Sequence, residues 1–182
     1  MSYTAKQMES PEQLEIAGIV INQFKNNLAQ EITNPIMKEY DLTDIDDEAF
    51  YPSSVVDKLY KAVYKDGNGQ QALVAMGKAS ATTTLDFIQP ETPKDVLDNI
   101  HNVFTAYLRN MPEGFGIIVT ELDDNKFKVW NNTQVPNDLI YGFLWECVRM
   151  TRGDKKRFAV MPLEGYDRKS EHGAKFEVSW DA

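Results

Sequence analysis

At 182 residues the chain is long enough for one domain of ordinary size with a helical extension, and too short for two full domains. Its 19 Lys and Arg against 28 Asp and Glu leave a formal charge of -9, which excludes a broad nucleic-acid or anionic-membrane footprint. Nine Phe, eight Tyr and three Trp in a 42% hydrophobic composition suffice to close a core, so a wholly disordered chain is excluded as well.

The first ten residues carry Lys6 and Glu9 but no apolar run, which predicts a protein neither exported nor membrane-spanning. Ser10-Pro11-Glu12-Gln13 combines a capping Ser, a first-turn Pro and a Gln at the capping-box position, the signature of a helix start. Leu14, Ala17, Ile21, Phe24, Leu28 and Ile32 follow at three- and four-residue steps, predicting one helix of about twenty residues with a single apolar stripe. Asn34-Pro35 restarts the chain as a short helical turn through Tyr40. Asp41, Asp44, Asp46, Asp47 and Glu48 then form a solvated connector, because an EF-hand would need a Gly at loop position six and a Glu at position twelve.

Tyr51-Pro52-Ser53 breaks and recaps the chain, and Val56, Leu59, Tyr60 and Val63 mark the inward face of a helix that ends at Asp66-Gly67-Asn68-Gly69. Those glycines lie between helices, without the strand and the further residues of a phosphate loop. Leu73, Met76, Gly77, Ser80, Thr84 and Phe87 continue a helix up to Gln89-Pro90, its small residues predicting close approach to another helix. Thr92-Pro93-Lys94-Asp95 caps the next helix, the central one, whose apolar face is Val96, Leu97, Ile100, Val103, Phe104, Tyr107 and Met111, up to Pro112.

The period then changes to two. Phe115, Ile117 and Val119 alternate, Asp123-Asp124-Asn125 turns, and Phe127 and Val129 alternate again, which predicts a hairpin. Pro136-Asn137-Asp138 opens a helix carrying Ile140, Phe143, Leu144, Cys147 and Val148, stopped by Gly153. Phe158 and Val160, then Phe176, Val178 and Trp180, predict a second hairpin. Helices followed by hairpin, helix and hairpin predict an α+β fold, a four-stranded antiparallel sheet covered by helices, with residues 1–49 a helical extension of a domain at 50–182.

The second half resembles a known superfamily. Leu97-Asp98-Asn99-Ile100-His101-Asn102-Val103-Phe104, then Tyr107-Leu108-Arg109-Asn110-Met111-Pro112, a hairpin, a Pro-led helix and a final Phe-Glu-Val-Ser-Trp strand carry the likeness. It is the superfamily joining heme nitric-oxide/oxygen-binding (H-NOX) domains, four-vinyl-reductase ligand-binding domains and Golgi-transport (TRAPP) subunits. The resemblance implies a ligand pocket between helices and sheet, and a sensory or scaffold role without turnover. In the heme-binding branch a helix His ligates iron and a Tyr-x-Ser-x-Arg motif holds the propionates. His101 is the one candidate for that metal-ligand role if heme is bound, although it lies eleven residues before Pro112 where that branch has about eight. Asn131, Thr133 and Val135 stand where that branch has Tyr, Ser and Arg, so an anionic cofactor would lose charge-assisted hydrogen bonds of about 1.5 to 3 kcal/mol each.

Taken from the residues alone, His101 borders the apolar face of its helix, a position equally suited to ligation and to a hydrogen bond with a backbone carbonyl. Phe104, Tyr107, Trp130, Tyr141 and Trp145, with His101, are the candidate lining of an apolar pocket or heme site, and each also suits a dry core. Tyr141 and Trp145 share one face of their helix while Ile140, Leu144 and Cys147 share another, so the second face awaits a ligand, an N-terminal helix or a second copy in a homodimer. Cys147, the single cysteine, has no activating His beside it, permits no intrachain disulfide and fits a reducing cytoplasm. No paired carboxylates or serine elbow announce catalysis, His172 sits in a charged loop, and Arg149, Arg152, Lys155, Lys156 and Arg157 complement a helix C-terminus. The expectation is a non-enzymatic cytoplasmic sensory or signalling domain for a small apolar ligand, with a signalling protein as a further partner. Its alternatives are a heme-based gas sensor using His101 and a ligand-free dimeric interaction module.

Overall fold

The computed structural model describes residues 10–28, 30–42, 44–65, 68–154, 157–163 and 173–181. In chain order they form β1 (Glu15–Ala17), α1 (Gly18–Asn27), α2 (Gln30–Glu39), β2 (Phe50–Pro52), α3 (Ser54–Lys65), α4 (Gly69–Ile88), α5 (Pro93–Thr105), β3 (Leu108–Arg109), β4 (Gly116–Asp123), β5 (Lys126–Asn132), α6 (Asn137–Thr151), β6 (Phe158–Pro162) and β7 (Lys175–Trp180). The fold is α+β. A four-stranded antiparallel sheet in the order β4-β5-β7-β6 packs under the helices, and a smaller antiparallel sheet runs β2-β1-β3.

The sheet is half-buried in the way its period-two pattern dictates. Phe127, Val129, Phe176 and Val178 are fully buried on the helix-facing side, and Val129 pairs with Phe176 across β5 and β7. The helices meet it with Leu97 and Ile100 from α5 and Leu144 and Val148 from α6, in one core that also takes Leu14, Ile21 and Phe24 from the N-terminal segment. Tyr141 and Trp145, on the second apolar side of α6, are partly buried against the core of the chain itself, and the Trp145 ring lies 5.3 Å from that of Phe158 on β6, with the Lys78 ammonium of α4 at 3.9 Å.

The N-terminal segment departs from its local pattern. Leu14 and Ala17 are not helical; Ile16 pairs with Tyr51 on one side and Leu108 on the other, so β1 is the middle strand of the small sheet. Pairing on both edges satisfies its backbone groups at once, and that outweighs an amphipathic spacing a lone helix would have used. The predicted single helix is therefore a strand and two helices, broken at Leu28, and Pro35 sits inside α2 instead of restarting the chain. The central helix also ends early, at Thr105, because Leu108 and Arg109 turn extended to pair with β1; Tyr107 and Met111 are each 38% exposed and leave the predicted apolar face.

The start of α5 is locally determined. The Thr92 hydroxyl accepts from the Asp95 N–H, and the Asp95 carboxylate accepts from the Thr92 hydroxyl and N–H, completing a capping box with Pro93 in the first turn. Those bonds hold the Asp95 carboxyl below its ordinary value of 3.8. A depressed carboxylate contributes stability above its unfolded value, and the contribution is lost as pH falls through the folded one. Thr92→Ala is therefore expected to cost about 1 kcal/mol near neutrality, measured by urea unfolding, and less in acid below about pH 4.

Candidate functional site

Lys94, Asp98 and His101 recur at four- and three-residue steps, so α5 presents them along one face. That face lies against the outer margin of β4. Between them runs a groove of about 430 Å³, lined by Leu97, Asp98 and His101 on the helix side and by Ile117, Val119 and Glu121 on the strand side.

His101 is fixed by two contacts. Its Nδ1 lies 3.2 Å from the Ile117 carbonyl oxygen, and since a carbonyl only accepts, Nδ1–H is the donor there and Nε2 is left for another partner. The imidazole rests on Gly116, whose φ is +141°; a Cβ there would meet the ring at 2.5 Å, so Gly116 has no side chain for the sake of His101. Lys94 ties the helix to the strand further along, at 2.5 Å from Glu121 and 3.7 Å from Asp98. The Glu121 carboxylate raises the Lys94 ammonium above its usual range.

The six residues expected to line one pocket are not brought together. Phe104 and Tyr141 are partly buried against the main core, and Trp145 is taken up by Phe158 and Lys78. Tyr107 lies beyond the end of α5, where its carbonyl accepts from the Ala17 N–H. Trp130 points away from the helices, on the sheet face opposite Phe127 and Val129, with the Lys175 ammonium 5.3 Å from its ring. Only His101 opens onto the groove. Asp98, Gly116 and Glu121 are the site residues that sequence reasoning missed, and a glycine at the start of an alternating strand is the signal that marks a close approach.

The stretch opposite the propionate motif of the heme-binding branch is a closed polar knot. Asn131 is fully buried; its amide donates to the Val135 carbonyl at 2.8 Å and to the Asn137 side-chain oxygen at 2.9 Å, and its own oxygen accepts from the Thr133 hydroxyl at 2.6 Å. The Val135 N–H returns to Thr133 at 3.0 Å, and the Asn137 oxygen also accepts from the Ala174 N–H at 3.0 Å. The knot joins the ends of β5 and β7 to the start of α6.

Elsewhere the chemistry is quiet. Burial pushes the Cys147 thiol well above its ordinary range, the opposite of an activated nucleophile. In the acidic connector Asp46 accepts from the Glu48 N–H and Asp47 from the Asn22 amide. Among the described residues no three His, Cys, Asp or Glu side chains gather to hold a metal, and no helix is long and apolar enough to cross a membrane. His172, Lys155 and Lys156 lie outside the described residues.

No protein-family model matches the chain, and no curated relative does. Solved structures do. An Fe(II) unliganded H-NOX protein from K. algicida superposes with a TM-score of 0.67 at 12% identity, over 92% of this chain and 97% of that one. An H-NOX protein from S. oneidensis in the Fe(II) ligation state gives 0.66 at 12% identity, over 92% and 97%. A point mutant of the T. tengcongensis H-NOX gives 0.64 at 12% identity, over 90% and 96%. The chain has the H-NOX fold.

Proposed function

We propose that this chain is a sensory or signalling domain that binds and does not turn over its ligand, and that its working surface is the groove between α5 and β4. The fold supports the sensory class, since the solved neighbours that share it are H-NOX proteins. The observation that carries the assignment to this chain is the seat of His101, the sequence-predicted candidate that opens onto this groove.

Heme is the ligand that the neighbours favour, since two of their structures are described by the state of their iron. The orientation of His101 suits ligation, as a metal-binding imidazole commonly donates its other N–H to a backbone carbonyl. Its surroundings do not. The groove carries Asp98 and Glu121, carboxylates that repel a porphyrin bearing two carboxylates of its own. The inward positions of α5, Leu97 and Ile100, are packed into the core. The corner where a propionate clamp would stand has its donors committed to the Asn131 knot. These residues do not fit heme, and the reading we favour is a heme-free member of this fold.

Hemin titration followed by absorption tests it. The expected result is no bound-heme Soret band; a stoichiometric band that disappears in His101→Ala would instead establish the gas-sensor reading.

A further inference from the structure

The groove runs beside the free edge of a sheet. β4 is the outermost strand, and among the described residues β5 is its one strand neighbour. In an antiparallel ladder the backbone groups of alternate residues point toward the partner and those of the others point away. The Ile117 carbonyl reaches His101 and not β5, and its cross-strand partner Asn131 sends its N–H to Ala174 on the other side. Ile117, Val119 and Glu121, two apart, therefore direct their N–H and C=O groups outward along the groove. The His101 ring supplies to Ile117 the donor that a neighbouring strand would supply. The next outward positions, Val119 and Glu121, face the open part of the groove.

Resting on the groove reading above, we propose that its occupant is an extended, basic peptide segment of a partner protein, which adds to β4 as a fifth strand alongside α5. An exposed edge is a ready template for such pairing, in which main-chain hydrogen bonds supply affinity and side-chain pockets supply selectivity. Charge chooses the occupant. Asp98 and Glu121 line the groove with Lys94 between them, and Asp123 and Asp124 follow at the exposed end of the strand with Lys126 opposite Asp123, so carboxylates outnumber ammonium groups at that end. A second copy would bring the same carboxylates against themselves, in a chain already at -9, whereas lysines or arginines on an added strand would be met by them. Along β4, Glu121 lies on the side of Asp98 while Ile118 and Leu122 point to the opposite side, so a segment that alternates basic and apolar residues meets both. The bulge between Glu121 and Asp123 ends the regular ladder and limits the added strand to roughly four or five residues.

The probe is a fluorescent heptapeptide of alternating lysine and valine, with two controls: the same peptide N-methylated at alternate residues, and its glutamate-valine counterpart. Binding is read by anisotropy and by the backbone amide shifts of the whole chain. The expected result is saturable binding that moves the amides of Ile117, Val119 and Glu121, weakened roughly tenfold or more by N-methylation and lost for the acidic peptide. Val119→Pro, which removes an outward N–H at an edge position that tolerates proline, should weaken binding by a similar factor while the protein still unfolds cooperatively. Equal affinity for the N-methylated peptide would reduce the contact to charge and overturn the strand addition, and so would no binding at millimolar peptide. A wild-type dimer that Val119→Pro converts to monomer would overturn it in favour of a second copy. Shifts confined to another surface would overturn this proposal and the groove reading together, whereas loss of peptide binding alone leaves that reading and its hemin test standing.

Discussion

Gly77→Ala is expected to destabilise the protein by about 3 kcal/mol, although alanine is the better helix former by about 1 kcal/mol. The reason is contact between α4 and α6, backbone against backbone. A Cβ at Gly77 would stand 2.1 Å from the Leu139 carbonyl oxygen and 2.8 Å from the Phe143 nitrogen, and one at Gly142 would stand 2.2 Å from the Val74 carbonyl oxygen. No rotamer change relieves a clash with main chain, so the helices must move apart. Doing so loosens the packing of Leu73, Leu144 and Cys147, all buried. The fall in thermal midpoint, about 10 °C for a chain of this size, can be followed by circular dichroism. Gly142→Ala should cost a similar amount, and the double variant less than the sum, because helices already separated by one methyl have room for the second. An additive double variant, or a neutral Gly77→Ala, would mean that the helices are not in contact at these positions.

Asn137→Ala should cost about as much by a different route. The Asn137 oxygen accepts from the Asn131 amide and from the Ala174 N–H, in a place where Asn131 is fully buried and Ala174 is 1% exposed. Truncation leaves two buried donors without an acceptor, at about 1 to 3 kcal/mol each. The loss should appear in urea unfolding and, more specifically, in hydrogen exchange. The Ala174 amide, protected in the parent protein, should exchange at least tenfold faster in the variant, while amides in the middle of α3 change only with global stability. Unchanged protection at Ala174 would show that the bond to Asn137 does not hold that strand.

The same residues mark how far the sequence can be read. From α3 onward the elements are legible, apart from the early end of α5 and the strand β3 that follows it, because the others carry their own punctuation. The Thr92 capping box, the turn at Asp123 to Asn125 and the Pro136 entry to α6 act over three or four residues, and local chemistry decides them. The alternation of Phe127 and Val129 likewise places Trp130 on the opposite sheet face, which removes it from any pocket beneath the helices. The segment around Ile16 is not legible in that way. Its spacing suits a helix, and it becomes a strand only because Tyr51 and Leu108, far along the chain, flank it.

What the residue order determines by itself, then, is the class of fold, the two strand pairs, the capping box of α5, and that His101 shares a helix face with Asp98 and Lys94. What tertiary structure alone decides is where that face is laid. Docking α5 against β4 brings the imidazole onto Gly116 and the Ile117 carbonyl and leaves the outer edge of the strand open beside it, while the meeting of α6 with the ends of β5 and β7 turns the candidate heme corner into a hydrogen-bonded knot. Those partners are separated from His101 by 15 residues or more, and at such distances contact depends on how whole elements pack, which no local period encodes.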